Sequence, residues 1–175
     1  MSTPTTFQHV KAIIVLPLLV TVIIPFGLIC FKKNIFLQGE SVLYQPWFTI
    51  LGIVVIFLGL ILFMHTLYLF ISFGKGTLAP WNPTQSFVVQ GIYRHVRNPM
   101  LLAISIILFG EALVFFSDSI LIFLIIFVVG NTIYFIKSEE PRLLKKYGRA
   151  YADYYQNVNR WIPKIKAYNL FINRL

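Results

Sequence analysis

Four long apolar stretches, separated by short polar segments, dominate the chain. They cover residues 12–30, 48–73, 100–116 and 119–136. A helix needs about 20 mainly apolar residues to cross the hydrocarbon core of a bilayer, so the pattern predicts four transmembrane helices. Pro17 and Pro25 interrupt the first stretch, and membrane helices tolerate proline better than soluble helices do. Only Ser117, Asp118 and Ser119 join the third and fourth stretches, which predicts an antiparallel helical hairpin.

Two ionisable groups interrupt these stretches, His65 in the second and Glu111 in the third. We expect His65 to be buried and hydrogen-bonded, because no second His, Cys or acid stands beside it at metal-ligand spacing. We expect Glu111 to lie near the outer end of its helix, hydrogen-bonded to a neighbouring helix. The first stretch is not followed by a small-residue cleavage site, so it predicts a retained helix rather than a signal peptide.

The composition agrees with a membrane protein. Of the 175 residues, 58% are hydrophobic and 12% are charged, and the mean hydropathy is +0.77. Soluble domains contain about 45–50% apolar and about 25% charged residues, which argues against a soluble enzyme. The aromatic content of 17% excludes disorder. The single cysteine, Cys30, allows no internal disulfide. We therefore predict an all-α integral membrane protein.

The net charge of +9 is distributed unevenly around the apolar stretches. With four spans, the N-terminus, the segment 74–99 and the C-terminal tail share one side of the membrane. That side carries 13 of the 15 Lys and Arg residues, and the other carries Lys32 and Lys33. Because cytoplasmic segments are enriched in Lys and Arg, we expect both termini in the cytoplasm. Anionic lipid headgroups then account for the basicity, and no nucleic-acid partner is expected.

The segment 74–99 contains more than a connecting loop requires. It combines glycines, prolines and aromatic residues with a cationic cluster of Arg94, His95 and Arg97. Glycine lets the backbone approach a ligand closely, and proline fixes extended segments. The alternative is a flexible interfacial loop whose cations contact headgroups, and the segment taken alone favours that alternative.

An acidic pair, Glu139 and Glu140, stands at the cytoplasmic end of the fourth stretch. Adjacent carboxylates at a membrane boundary are costly unless they face water or a partner. The start of a helix with Pro141 in its first turn accounts for acids here without a ligand. It does not account for two acids among so many cations, which a cationic, amine-bearing or hydroxyl-rich ligand would explain. Farther along, tyrosines recur at helical spacing from Tyr147 to Tyr155, which predicts an amphipathic helix.

Five motifs follow one another from the second span to the tail. They are Gly74-x-Gly76-Thr77, the run Gly91-Ile92-Tyr93-Arg94-x-x-Arg97-Asn98-Pro99-Met100, the pair Glu139-Glu140, Tyr147-Gly148-x-x-Tyr151-x-x-Tyr154, and Val158-x-Arg160-Trp161-Ile162-Pro163. In order and spacing they resemble the isoprenylcysteine carboxyl methyltransferase and phospholipid methyltransferase superfamily, most closely its small bacterial members. The resemblance covers residues 70–163.

The resemblance implies an integral membrane methyltransferase that uses S-adenosylmethionine and a lipophilic acceptor from the bilayer. Its likeness to bacterial members implies a location in a bacterial inner membrane. We divide the chain into two N-terminal helices (1–73) and a methyltransferase core (74–175), in which the cytoplasmic loop and an amphipathic C-terminal helix form the cofactor site. Carried over by position, the cofactor contacts are Gly74, Gly76, Gln85, Ser86, Phe87, Val88, Tyr93, His95, Asn98, Pro99, Met100, Leu101 and Glu139. The catalytic candidates are Arg94, Arg97 and Glu140. The arginines suit a carboxylate, and an acid or His95 suits proton removal from an amine acceptor.

The chain departs from the family pattern at three positions. Leu101 replaces a Tyr, Ala103 replaces a Gly, and Phe135 stands where prenylcysteine enzymes carry an Arg for the substrate carboxylate. The cofactor site is therefore largely kept, whereas the prenylcysteine signature is not, although Lys137 lies nearby and compensates in part.

Two alternatives to a methyltransferase stay open at this point. Steroid-reductase-like membrane proteins share a related C-terminal architecture and use a nicotinamide cofactor, so titration with NADPH against S-adenosylmethionine separates the two. The other alternative is a degenerate member that acts as a membrane interaction protein, which the departures at Leu101 and Phe135 keep open.

Overall fold

The structure, a computed structural model, describes residues 15–30, 46–74 and 88–169. Within these ranges the regular structure is helical, apart from one isolated parallel β-bridge between Val96 and Asn159. The predicted all-α fold is confirmed for this part of the chain. The helices are α1 (Val15–Cys30), α2 (Pro46–Gly74), α3 (Pro99–Val114), α4 (Asp118–Tyr147) and α5 (Arg149–Asn157), with a 3-10 turn (Gly91–Arg94) before α3.

Two of the four apolar helices are long enough to cross a bilayer. The apolar part of α2, Pro46–Phe73, has 28 residues, and α4 has 30. α3 has 16 residues, about 24 Å at about 1.5 Å per residue, which is shorter than a hydrocarbon core of about 30 Å. The described part of α1 is similarly short. The sequence therefore located four apolar helices, of which two have the length of a span.

α4 continues past the end of its apolar stretch. It consists of an α-helical part Asp118–Tyr134, a π-helical turn Phe135–Glu139 and a second α-helical part Glu140–Tyr147. A helix start at the acidic pair was one explanation of the two acids, and instead the same helix runs through them. Because Pro141 has no N–H to donate and crowds the preceding turn, the wider π-helical turn just before it lets the helix continue.

α2 and α3 pack closely through glycines. A Cβ added at Gly52 would lie 2.7 Å from the carbonyl oxygen of Gly110, and one added at Gly110 would lie 2.8 Å from that of Gly52. Farther along, a Cβ at Gly59 would lie 2.7 Å from Cγ1 of Ile107. The start of α2 thus meets the end of α3, so the two helices are antiparallel. Small residues allow this backbone approach, and van der Waals contact then holds the pair.

α3 and α4 form the predicted hairpin. Phe116 adopts a left-handed backbone conformation (φ 46°) in the turn, and the buried hydroxyl of Ser117 accepts a hydrogen bond from the backbone N–H of Ile120 at 3.4 Å. This bond caps the start of α4. The turn has three residues, as expected, but it lies two positions earlier, at 115–117, because α3 ends at Val114 and Asp118 already belongs to α4.

The two ionisable groups inside the apolar helices differ from expectation. His65 is exposed on α2 rather than buried. Glu111 lies near the end of α3, as expected, but its buried Oε2 has no hydrogen-bond partner among the described residues. The expected hydrogen bond to a neighbouring helix is therefore not made at this oxygen.

Two small apolar clusters hold the polar segments onto the helices. In the first, Val88 and Tyr93 pack against Leu69 of α2. Gly91 makes this possible, because its backbone has φ +53° and an added Cβ would lie 2.7 Å from Cδ1 of Leu69. The second cluster joins α5 to the tail and consists of Tyr151, Tyr154, Val158 and Tyr168.

Substituting Gly110 with alanine tests the close packing of α2 and α3. The new methyl group meets backbone atoms that cannot rotate away, so we expect Gly110→Ala to cost about 1–3 kcal/mol. Gly130→Ala on α4 is the matched control, because a Cβ there meets nothing within 4 Å. Alanine favours a helix over glycine by about 1 kcal/mol, so the control is neutral or stabilising. Thermal unfolding in detergent measures both, and equal effects would contradict the packing.

Candidate functional site

Three segments that are distant in sequence meet at one end of the helices. They are the approach to α3 (93–98), the acidic pair in α4, and the tail after α5 (158–168). The tail runs beside the approach to α3 and pairs with it through backbone hydrogen bonds. These are Arg97 N–H to Asn159 O (2.8 Å), Asn98 N–H to Arg160 O (3.3 Å), Lys164 N–H to His95 O (2.9 Å) and Tyr168 N–H to Arg94 O (2.9 Å). The predicted cytoplasmic loop and C-terminal segment thus form one structural unit.

A buried carboxylate, that of Glu140, lies at the centre of this unit. Only 3% of the residue is exposed. Its Oε1 accepts hydrogen bonds from Arg97 Nη1 at 2.8 Å and from Arg160 Nη2 at 2.7 Å, and its Oε2 accepts from Arg160 Nη2 at 2.8 Å. Burying a carboxylate is costly unless it is paired and hydrogen-bonded, and two guanidinium groups satisfy that requirement. We call Arg97, Glu140 and Arg160 the buried ion cluster.

Tyrosines of α5 surround the buried ion cluster. The Arg97 guanidinium lies over the ring of Tyr155, 4.3 Å from its centroid. Burial and the nearby Glu140 carboxylate raise the pKa of Tyr151 to about 12, against the opposing effect of Arg97. Burial also raises the pKa of Tyr154 above its ordinary value. Both phenols are therefore neutral. Tyr154 donates to the carbonyl of Tyr93 at 2.6 Å, and the Tyr151 hydroxyl interacts with the Arg97 guanidinium, which can only donate.

The side chains of Arg94 and His95 also form hydrogen bonds with the tail. Arg94 Nε donates to the carbonyl of Tyr168 at 2.7 Å, and His95 Nδ1 lies 2.7 Å from the carbonyl of Lys164. A carbonyl only accepts, so this contact assigns the proton of the His95 ring to Nδ1. Nε2 of His95 is then the ring nitrogen left to accept a proton.

Asn98, a half-buried residue at the start of α3, has a buried carboxamide nitrogen. Its Nδ2 has no hydrogen-bond partner among the described residues, and its side chain makes no capping bond to the helix. Buried amide groups in folded proteins are almost always hydrogen-bonded. An unpaired donor next to the N-terminal turn of a helix therefore fits a ligand with acceptor atoms.

The two adjacent acids have different surroundings. The Glu139 side chain is 18% exposed, against 5% for that of Glu140. Glu139 forms an ion pair with Arg142, one turn farther along α4, and the Arg142 side chain is 42% exposed. Glu139 therefore stands near solvent with a partner that a ligand can displace, whereas Glu140 is enclosed.

The structure brings together only part of the predicted site. Asn98 follows Arg97 directly, and Pro99, Met100 and Leu101 form the first turn of α3. Val88 and Tyr93 are core residues of the cluster on Leu69, and Gly74 is the last residue of α2. Gly76, Gln85, Ser86 and Phe87 lie outside the described residues. The cofactor contacts predicted for all of these residues stay predictions. So do the catalytic roles of Arg94, Arg97 and Glu140.

Arg160 and Trp161 are site residues that sequence reasoning did not select. Arg160 supplies one of the two guanidinium groups around Glu140, and Trp161 Nε1 donates to Thr132 Oγ1 of α4 at 2.9 Å. Both belong to a motif recognised in the sequence, and that motif was the available signal. Within the described residues, no group of three His, Cys, Asp or Glu is arranged to hold a metal ion.

Replacing Glu140 with glutamine tests the buried ion cluster. The substitution keeps the shape of the side chain and leaves two buried arginines without their counter-charge, so we expect a loss of about 3–5 kcal/mol in the free energy of unfolding. Glu139→Gln is the matched control at the neighbouring position, where a partly exposed pair contributes at most about 1 kcal/mol. Thermal unfolding in detergent compares the two variants. A loss below 1 kcal/mol for Glu140→Gln would contradict the role of this cluster.

Comparison with known proteins gives the family. No curated protein and no solved structure matches the chain. The family model described as phospholipid methyltransferase matches residues 47–150, a range that includes α2, α3, α4 and both Arg97 and Glu140. This match confirms the resemblance seen in the motifs, and the two helices of spanning length agree with a membrane protein. The chain belongs to the phospholipid methyltransferase family.

Proposed function

We propose that this protein transfers a methyl group from S-adenosylmethionine to a lipophilic acceptor at the cytoplasmic face of the membrane. Family membership implies a methyltransferase, and S-adenosylmethionine is the usual methyl donor. The observation that carries the placement of the site is the unpaired, buried carboxamide nitrogen of Asn98 beside the buried ion cluster. It is a donor without an acceptor where three segments of the chain meet.

The residues of the site fit this donor molecule. Asn98 Nδ2 and the first backbone N–H groups of α3 suit its carboxylate, because helix N-termini bind anions. Glu139 suits its ammonium group or its ribose hydroxyls. The buried ion cluster holds two guanidinium groups and one carboxylate, and this excess of positive charge favours an anionic group nearby.

The chemistry divides between the cofactor and the protein. When bound, S-adenosylmethionine supplies an electrophilic methyl carbon. The chain positions the reactants and excludes water, which accounts for much of the rate of a transfer between bound groups. A carboxylate or thiolate acceptor needs no base. For an amine acceptor, His95 Nε2 or Glu139 takes the proton.

Glu140 acts as a positioning residue in this proposal. Its carboxylate already accepts hydrogen bonds from both arginines, and protonation would break up the cluster. Through Arg97 it fixes the neighbouring Asn98, and through Arg160 it fixes the tail. This differs from the direct contact with substrate that the sequence suggested for Glu140 and Arg97.

Two features support a lipophilic acceptor and a cytoplasmic site. α4 exposes Ile133 and Ile136 next to the acidic pair, so an acceptor dissolved in the bilayer reaches this end of the helix sideways. The pairing of the segments 93–98 and 158–168 joins two of the basic regions on the side that the charge distribution assigns to the cytoplasm. Phe135, in place of an arginine, argues against a prenylcysteine carboxylate as acceptor.

Asn98→Ala separates binding from stability. Because the carboxamide nitrogen has no partner among the described residues, its removal leaves the free energy of unfolding unchanged or slightly raised. A lost hydrogen bond to a charged ligand group weakens the affinity for S-adenosylhomocysteine by about tenfold or more. Calorimetric titration in detergent measures this affinity. Unchanged affinity would place the ligand elsewhere, and lost stability would show that the carboxamide has a structural partner.

Glu139→Ala tests the acidic side of the same site in the same titration. We expect a loss of at least about tenfold in affinity, because a charge-assisted hydrogen bond to the ligand is removed. Arg142→Ala is the matched control, since it breaks the same ion pair and leaves the carboxylate in place. The control binds as tightly as the wild type or more tightly. Equal losses in both variants would assign the effect to the ion pair.

A further inference from the structure

The tail after α5 carries an exposed apolar segment of fixed conformation. Residues 161–166, which we call the interfacial strap, follow the buried ion cluster directly. Ile162 is 73% exposed and Ile165 is 102% exposed. Between them, the backbone of Lys164 is held on both sides, because its N–H donates to His95 O at 2.9 Å and its carbonyl accepts from His95 Nδ1 at 2.7 Å. The backbone between the two isoleucines is therefore fixed to the protein, and both side chains are exposed.

The strap begins at a defined depth along α4. Trp161 Nε1 donates to Thr132 Oγ1 at 2.9 Å. Thr132 lies about 21 Å along the helix from Asp118, at about 1.5 Å per residue, within a hydrocarbon core of about 30 Å. The first charged residue after it is Lys137. Trp161 thus reaches α4 just inside the boundary between hydrocarbon and headgroups, the depth at which tryptophan is enriched in membrane proteins.

The strap and the residues next to it are positively charged. Residues 160–169 contain three cations, Arg160, Lys164 and Lys166, and no acid. Glu140 pairs with Arg160 inside the protein, whereas Lys164 and Lys166 are exposed. Exposed isoleucines that alternate with exposed lysines, next to a tryptophan at boundary depth, match a surface with an apolar interior and an anionic face.

We propose that the interfacial strap is a docking surface for anionic phospholipid. Ile162 and Ile165 enter the boundary between headgroups and acyl chains, and Lys166 contacts the phosphate groups. Lys164 adds positive charge at the same surface, while its Nζ donates to the Asn157 carbonyl at 2.5 Å. Since His95 and Lys164 are bonded to each other, lipid bound here stabilises the approach to α3. The proposal does not depend on methyl transfer, because it concerns the membrane contact of the tail alone.

Fluorescence depth measurement on the full chain tests the strap. Cys30 is replaced by serine, and an environment-sensitive probe is attached at Ile165→Cys. The protein is reconstituted in bilayers of phosphatidylcholine with and without phosphatidylglycerol, and lipids with a quencher high on the acyl chain report contact. Lys145→Cys is the control, because residue 145 lies about 12 Å beyond Lys137 along α4. We expect a blue shift and quenching at 165, both stronger with phosphatidylglycerol, and neither effect at 145.

Lys166→Gln in the Ile165→Cys background tests the charge. We expect the apparent affinity of the probe response for phosphatidylglycerol to fall about fivefold, the effect of one cation near an anionic surface. Lys145→Gln removes the same charge away from the strap and leaves the response unchanged. A probe that is unquenched in every bilayer would overturn the proposal. So would a blue shift without quenching by the acyl-chain quencher, since it would mean that the protein itself covers Ile165. An equal response in both bilayers would overturn the choice of anionic lipid.

Discussion

The Glu140 carboxylate, enclosed by the guanidinium groups of Arg97 and Arg160, joins the parts of the protein that form the site. Its helix contributes the acid, the approach to α3 contributes one arginine, and the tail contributes the other. Each charge alone would be expensive to bury, so none of the three segments is stable in this position without the other two. The unpaired carboxamide of Asn98 and the fixed conformation of the strap both depend on this arrangement.

The geometry of α4 explains why two adjacent acids have different roles. The π-helical turn Phe135–Glu139 lies just before Pro141. It sets the direction in which the Glu140 side chain points from the helix. The Glu140 side chain is buried, whereas the Glu139 side chain lies near solvent and forms an ion pair with Arg142. One acid thus holds the fold of the site together, and the other is available to a ligand. π-helical turns are frequent at functional sites.

Much of the architecture could be predicted from sequence, because hydrophobic periodicity and turn composition are local. The apolar helices, the hairpin after Val114 and the tyrosine-rich α5 belong to this part. The partners of Glu140 could not be predicted, since they lie 43 and 20 residues away. Because acids are scarce in the sequence, the acidic pair suggested a ligand. In the structure, the partners of Glu140 are instead arginines of the same chain. α4 continues through a π-helical turn, and no residue pattern in the sequence predicts such a turn.

The most direct measurement of the central claim is transfer of an isotope-labelled methyl group. The purified protein is incubated with labelled S-adenosylmethionine and membrane lipid extract, and the lipids are analysed by mass spectrometry. We expect a labelled lipophilic product with the wild type and a strongly reduced yield with Asn98→Ala, a variant for which we expect unchanged stability. A labelled product formed equally well by Asn98→Ala would contradict the site described here. No labelled lipid with the wild type, under conditions in which the protein binds S-adenosylhomocysteine, would contradict the proposed reaction.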